Sequence, residues 1–318
     1  MIKIVVITSD STIWNHKEVL IKLFIAMQNN QNIQIDLNQE GPDFSYLNLQ
    51  DDIITLANQL NYPLDKIIIR THNLIENNQL FNIKKIVPWH FVENTRNLVN
   101  FKNKKIQYTF GMFIGRSNMY RLLLSSQVKK HNSIQTFHYN RNIEFHRSNL
   151  GLDSLIENYS DYVDDAVSLI KSSPIKFTNV SYPMLMNQHC DIQSYYSNFF
   201  VEICCETYFS GNTFFPTEKT WRAIATGTPF IIQGPQNYLE NLKKLGFQTF
   251  ESWWDEGYSE DPSNWQPIEI IKVINEISRW DKNKIDIVYN EMKPVLEHNK
   301  NVLDNLELKD FERINETK

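Results

Sequence analysis

The segment "FFPTEKTWRAIATGTPFIIQGP" places a glutamate and a lysine in the first turn of a predicted helix. Pro216 and Thr217 are typical helix-start residues, and Thr217 is the predicted N-cap. Glu218 suits the positive end of the helix dipole, whereas Lys219 opposes it unless an anion binds beside it. A lysine that merely points to solvent there costs only a few tenths of a kcal/mol. The pattern therefore leaves two interpretations open, a solvated lysine or an anion-binding site.

A second segment, "FGMFIGRSNMYRLLLSSQVKK", has the same order of strand, glycine, polar turn and helix. With Asn118 as N-cap, Arg121 lies in the first helical turn, and Arg116 lies just before the helix. Surface arginines are one interpretation. The other is a diphosphate clamp between two helix N-termini, a role that suits the bidentate guanidinium. The chain contains neither "GxGxxG" nor "GxxxxGK[ST]", so it lacks a dinucleotide fingerprint and a Walker loop.

Chemistry on hydroxyl groups would need a hydrogen-bond acceptor and a general base. Glu206 ends the strand "FVEICCE" and could accept hydrogen bonds from ribose or sugar hydroxyls, or could cap a neighbouring loop. His72 in "KIIIRTHN", with His90 and Glu93 in "IVPWHFVEN", lies just past predicted strands, where catalytic groups often occur. We take His90 and Glu93 as candidate bases, with structural or solvated roles as the alternative. Three tryptophans could stack on sugar rings or pack in the core: Trp89, Trp253 and Trp254.

The elements that would position these residues alternate between short apolar runs and amphipathic patterns, which is typical of parallel sheets covered by helices. The predicted strands of the N-terminal half are "IKIVVIT", "NIQIDLN", "DKIIIRTH", "IKKIVPW" and "IQYTFGMFIG". After the aperiodic segment "KSSPIKFTNVSYP", the predicted strands are "SNFFVEICCET", "TPFIIQG" and "FQTF". We therefore expect an α/β fold with an N-terminal α/β domain over residues 1–172. A C-terminal α/β domain, followed by helices, would span residues 173–318 and face the first across a cleft.

Composition limits the classes of partner. The chain has 318 residues and a net charge of −5, which disfavours nucleic acid as a partner. Its three cysteines lack zinc-site spacing, so we expect buried thiols in a reducing compartment and no metal or other cofactor. The first residues do not resemble a signal peptide, and no apolar run approaches the ~20 residues of a membrane span. We expect a soluble, cytoplasmic protein.

The stretch "CCETYFSGNTFFPTEKTWRAIATGTPFIIQGPQNYLENL" resembles the nucleotide-sugar-binding segment of the alpha-1,3-fucosyltransferase family. That family carries an aromatic-Glu-Asn sequence, then "TEK", a helix, a hydrophobic strand and a Gly-Pro loop. The chain is closer still to poorly characterised phage and bacterial proteins that share "TEKTW", "GTPFII" and an "LGFxTF…WWDE" run. The resemblance covers about Phe199 to Asp261, with a weaker similarity at Gly115 to Leu124.

The resemblance implies a glycosyltransferase of the GT-B type, in which two Rossmann-like domains face a cleft. The donor would bind mainly to the second domain and the acceptor to the first. Glu218 would bind donor hydroxyls and Lys219 the diphosphate, while Arg121 or Arg116 would contact phosphate.

The chain departs from the family pattern beside Glu206, which matches the glutamate of the aromatic-Glu-Asn sequence. Thr207 replaces the asparagine and Cys205 replaces the aromatic residue. This departure leaves the identity of the donor sugar open.

The residues and the resemblance together predict an inverting, metal-independent glycosyltransferase. It would transfer a sugar from a GDP- or UDP-linked donor to a hydroxyl of a glycan or related acceptor. No "DxD"-type metal motif is apparent, so Lys219, Arg121 and helix N-termini would stabilise the leaving diphosphate. The alternative is a non-catalytic protein of the same fold that binds a nucleotide or sugar phosphate. A phage-type sugar transferase acting on nucleic acid is disfavoured by the acidic net charge.

Overall fold

The computed structural model describes residues 1–9, 12–13, 15–37, 41–115, 117–139, 151–176, 192–260, 266–312 and 314. The strands are β1 (Ile2–Val5), β2 (Thr8–Ser9), β3 (Thr12–Ile13), β4 (Ile33–Leu37), β5 (Ile67–Thr71), β6 (Asn82–Lys85), β7 (Tyr108–Phe113), β8 (Ser133–Thr136), β9 (Phe199–Cys205) and β10 (Phe230–Gln233). The α-helices are α1 (His16–Gln28), α2 (Leu49–Leu60), α3 (Trp89–Arg96), α4 (Met119–Val128), α5 (Leu152–Asn158), α6 (Val163–Ser172), α7 (Glu218–Ala225), α8 (Tyr238–Lys244), α9 (Gln266–Ile277) and α10 (Lys282–Asn305).

The first sheet has four parallel strands in the order β1-β4-β5-β6. Alternate isoleucines such as Ile35 and Ile69 are fully buried in a core that also contains residues of α1 and α2. The opposite face is polar. There, the buried carboxylate of Asp36 lies 2.6 Å from Lys3 Nζ and 3.6 Å from Arg70 Nη1. One face of this sheet is therefore covered by helices, and the other carries charged side chains.

The second sheet also has four parallel strands, in the order β10-β9-β7-β8. Every residue of β9 and β10 is buried, because helices cover both faces. Ser125 of α4 contacts Met112 Sδ on one face, at 3.6 Å, and α7 packs against Cys204 on the other. The chain continues from β7 to β8 on one side and then returns to β9 on the other. This Rossmann-like order creates a crevice between β7 and β9, the position at which open α/β sheets bind ligands.

The α/β class and the two parallel sheets agree with the expectation, but the sheets do not divide where the sequence indicated. We placed the domain boundary after residue 172, yet β7 and β8 precede it and belong to the second sheet. Phe110 of β7, for example, is paired with Val201 of β9. The first sheet ends at Lys85, and α3 packs against α7. Hydrophobic periodicity predicts that a strand exists but not which strand it pairs with. Residues 177–183 of the segment expected to link the domains, residues 171–183, lie outside the described residues.

One predicted strand was wrong, and one observed strand was missed, for a related reason. Residues 247–250, "FQTF", are not a strand. Instead, Phe247 and Phe250 pack against aromatic rings of the core, with Phe250 4.9 Å from the ring of Phe230. Conversely, the short and partly exposed β8 was not anticipated. Apolar character predicts burial, whereas strand pairing also depends on distant partners.

The loop after β9 joins the carboxyl edges of the two sheets. Phe214 N donates to Asn73 Oδ1, and Leu74 N donates to Phe214 O, both at 3.0 Å. Gly41 has φ +60, and a Cβ on it would lie 2.9 Å from the backbone of His72 and 3.0 Å from the ring of Phe215. This close approach requires glycine. None of the described helices combines the length and apolar character needed to cross a membrane.

Candidate functional site

The N-termini of α4 and α7 flank the crevice between β7 and β9. Each helix follows one of these neighbouring strands, and the two helices cover opposite faces of the sheet. The predicted caps are confirmed: the side chains of Asn118 and Thr217 accept hydrogen bonds from Arg121 N and Lys219 N. The two helices belong to one sheet, however, and not to two domains as expected. The N-termini of both helices therefore border one crevice.

Arg121 extends across this crevice to the carboxyl end of β9. Its Nη2 donates to the carbonyl oxygens of Glu206, at 2.9 Å, and Cys205, at 3.3 Å. Burial raises the pKa of the Cys205 thiol to about 12, while the positive charges of Arg121 and Lys219 act in the opposite direction. Arg121 and Lys219 also converge on Glu206, the arginine at its carbonyl oxygen and the lysine at its carboxylate. This is the convergence that a diphosphate clamp would need.

Lys219 is mostly buried and has partners, contrary to the expectation of an unpaired cation. Its side chain is 15% exposed, and Nζ donates to Thr217 Oγ1 at 2.8 Å. The ammonium group also lies 3.1 Å from Glu218 Oε1 and 3.8 Å from Glu206 Oε2. Two carboxylates thus compensate for the unfavourable interaction between the lysine and the positive end of the helix dipole. The sequence could not reveal this, because Glu206 reaches the helix end only after the strand and its loop have folded.

Glu206 holds the N-terminus of α7. Its carboxylate is 1% exposed. Oε1 accepts from Thr217 N at 3.1 Å, from Thr220 Oγ1 at 2.6 Å and from Tyr238 OH at 3.1 Å. Oε2 accepts from Thr217 Oγ1 at 2.5 Å. Both oxygens are thus engaged by the protein, which favours the capping interpretation of Glu206 over donor binding.

Sequence reasoning missed Thr220 and Tyr238 as partners of Glu206. Thr220 lies one helical turn beyond the N-cap Thr217, so the two hydroxyls share a helix face, a spacing that could have indicated a joint role. No comparable local signal points to Tyr238, which lies in α8 after β10.

The candidate bases lie on α3, which packs against α7. His90 and Glu93 are both exposed, and the ring of His90 lies 4.1 Å from that of Phe91. His72 is close by at the carboxyl end of β5, with its ring 5.8 Å from that of Phe215. Burial, the nearby His90 and Arg70 lower the pKa of His72 to about 4, so its imidazole is neutral at pH 7. His72 Nδ1 is buried and has no hydrogen-bond partner among the described residues.

The three tryptophans contribute to packing. Trp254 is buried, with its ring 5.3 Å from that of Phe250. The half-buried Trp253 donates from Nε1 to Glu291 at 3.3 Å. Trp89 packs edge-to-face on Phe311 at 6.3 Å. These contacts favour the packing interpretation over stacking on sugar rings.

Arg116 and Cys190 lie outside the described residues. Cys204 and Cys205 are buried free thiols, as expected. Within the described part of the chain, no group of three or more His, Cys, Asp or Glu side chains could hold a metal ion. Comparison of the chain with protein-family models, curated proteins and solved structures finds no match.

Proposed function

We propose that this protein is an inverting glycosyltransferase of the GT-B type. It transfers a sugar from a nucleotide diphosphate sugar, GDP- or UDP-linked, to a hydroxyl of a glycan or related acceptor. The observation that carries the proposal is the placement of Lys219 and Arg121 at two helix N-termini beside one switch-point crevice. Together, cations and helix N-termini form the environment that a diphosphate requires.

Charge exchange at Lys219 is the first step of the proposed mechanism. Glu218 is 19% exposed and contacts the ammonium group at 3.1 Å, so it can rotate away when a more highly charged diphosphate enters. Thr217 Oγ1 and the buried Glu206 keep Lys219 in place meanwhile. The released Glu218 carboxylate is then available to donor hydroxyls, in keeping with the resemblance.

Bond cleavage places growing negative charge on the oxygen between the sugar and the diphosphate. Lys219, Arg121 and the N–H groups of α4 and α7 stabilise that charge, so the proposed reaction uses no divalent metal. An acceptor hydroxyl attacks the opposite face of the sugar carbon and transfers its proton to a base. His90 and Glu93 are candidates for this base because α3 packs on the helix that carries Lys219.

Lys219→Ala tests the proposal. Loss of one such contact in a water-poor site costs ~2.7–4 kcal/mol of transition-state stabilisation, or ~100- to 1,000-fold in turnover. The measurement is hydrolysis or transfer of GDP-, UDP- and dTDP-sugars, with and without EDTA. Lys243→Ala, which removes a surface lysine paired with Glu251, is the matched control.

Lys219 also offsets the buried charge of Glu206, so melting temperatures must accompany the rates. Unchanged turnover in a folded Lys219→Ala protein would refute the phosphate role. Binding of nucleotide diphosphates without turnover of any donor would favour the non-catalytic alternative. Activity that EDTA abolishes and manganese restores would refute metal independence.

A further inference from the structure

A second concave site lies at the opposite end of the second sheet from the crevice. It is formed by residues 103–107, which lead into β7, and by one face of α10, and its volume is about 540 Å³. We call it the amino-edge pocket. Because β7 runs from this pocket towards Asn118, the pocket and the proposed donor site lie at opposite ends of one strand.

The lining of the amino-edge pocket is strongly basic. It contains four lysines and one aspartate: Lys104, Lys105, Lys282, Lys293 and Asp286. Asp286 forms an ion pair with Lys282, one turn away on α10. Lys105 and Lys293 form no ion pair with any described residue. Two uncompensated cations thus face one cavity in a chain whose net charge is −5.

Lys104 is fixed in the pocket wall by the sheet itself. Its Nζ donates to Thr228 Oγ1 at 2.5 Å and to Phe199 O at 3.4 Å, and lies 5.7 Å from the centre of the Tyr289 ring. Burial of the amine lowers its pKa well below the usual lysine value, while the nearby carboxylate of Glu202 acts in the opposite direction. An anion in the pocket would favour the charged form, because an adjacent negative charge opposes the effect of burial.

We propose that the amino-edge pocket binds a small phosphate-bearing molecule, of the size of a mononucleotide or a sugar phosphate. A compact anion with more than one charge matches the two uncompensated lysines at this cavity, Lys105 and Lys293, and the cavity volume falls in the range typical of small-molecule sites. A long polyanion is disfavoured, because it would extend beyond the pocket over a chain of net negative charge.

Calorimetric titration with inorganic pyrophosphate at constant ionic strength tests the proposal. The titration is done in the Lys219→Ala background, so that the contribution of the proposed donor site is reduced. Lys105→Gln with Lys293→Gln should weaken binding by roughly 100-fold, since a hydrogen bond to a charged group contributes at least about tenfold. Lys17→Gln with Lys84→Gln is the control pair. It changes the net charge by the same amount at exposed positions in α1 and β6, and it should leave pyrophosphate binding unchanged.

Asn290→Glu is a second pocket variant that keeps every lysine and adds a negative charge to the exposed rim. It should also weaken pyrophosphate binding, which guards against misfolding of the double variant. The proposal is overturned by any of three results. The first is that the Lys219→Ala protein does not bind pyrophosphate. The second is that the pocket pair and the control pair weaken binding equally. The third is that both pocket variants bind pyrophosphate as tightly as the Lys219→Ala protein.

Discussion

The two parallel sheets differ in how their faces are covered, and this difference decides where charge is tolerated. In the second sheet, β9 and β10 are buried at every position. In the first sheet, β5 alternates between buried and half-buried residues, and β6 is more exposed. A parallel sheet covered on both faces has continuous apolar strands, whereas one covered on a single face retains an alternating pattern.

The buried ion pairs of the two sheets follow the same contrast. Arg222 of α7 and Glu202 of β9 are each 1% exposed and lie 2.9 Å apart. The hydroxyl of Tyr196 donates to Glu202 at 2.8 Å and accepts from Arg222 Nε. In the first sheet, the partners of Asp36 reach water, since Lys3 is 56% and Arg70 29% exposed. Removing one partner should therefore be far more costly in the second sheet.

Arg222→Met should produce the largest loss of stability. It leaves the Glu202 carboxylate buried without its cation, which typically costs ~3–5 kcal/mol. Arg70→Met is the matched change in the first sheet and should cost about 1 kcal/mol or less, because Lys3 remains and water reaches the pair. Urea unfolding of both variants measures the difference. Equal losses of unfolding free energy would show that removing one partner of an ion pair costs the same in both sheets.

Glu206→Gln should destabilise the protein next most strongly. The carboxylate accepts several hydrogen bonds at the N-terminus of α7, and the amide cannot replace both charged oxygens. We expect a loss of about 2–3 kcal/mol in the free energy of unfolding. Glu218→Gln, at a more exposed position beside the same lysine, should cost less than about 1 kcal/mol. A Glu206→Gln protein as stable as Glu218→Gln would contradict the capping role.

Gly111→Ala tests how closely the second sheet is packed. An added Cβ would lie 2.6 Å from ring carbons of Phe199, and such overpacking costs ~1–3 kcal/mol. Phe199→Leu in the same protein should recover part of the loss. Val5→Ile adds one carbon to a residue of the first sheet that is 39% exposed, and should change stability by about 0.5 kcal/mol or less. Thermal unfolding of the three variants measures these differences. If Phe199→Leu recovers none of the lost stability, the steric explanation is refuted.

A pH dependence of stability is expected at the edge of the first sheet. The pKa of His72 is lowered from 6.5 to about 4 in the folded protein, so the unfolded chain binds more protons between these values. The contribution of His72 to stability is therefore present above pH 6.5 and is lost as pH falls towards 4. His72→Gln should show a shallower decline in stability over this window. Parallel curves for wild type and variant would mean that His72 titrates normally in the folded state.

Local chemistry made several features predictable from the sequence. A strand was predicted within "DKIIIRTH", where β5 lies, and both N-caps at the crevice, Asn118 and Thr217, were identified correctly. A cap depends on a hydrogen bond between residues two or three positions apart, and helical periodicity depends on neighbours within a few turns. Information of this kind is contained in any short window of the chain.

Tertiary structure decided which of these elements meet. The pairing of β7 with β9 brought Arg121 and Lys219 to one crevice, although the sequence had assigned their helices to different domains. Folding also brought Glu206 beneath Lys219 and gave the lysine partners that its position in the helix did not reveal. Such contacts join residues far apart in sequence, and their strength depends on burial and on water exclusion. The sequence by itself therefore determined the elements, their caps and the charges they carry, while only the packed fold determined which charges are neutralised.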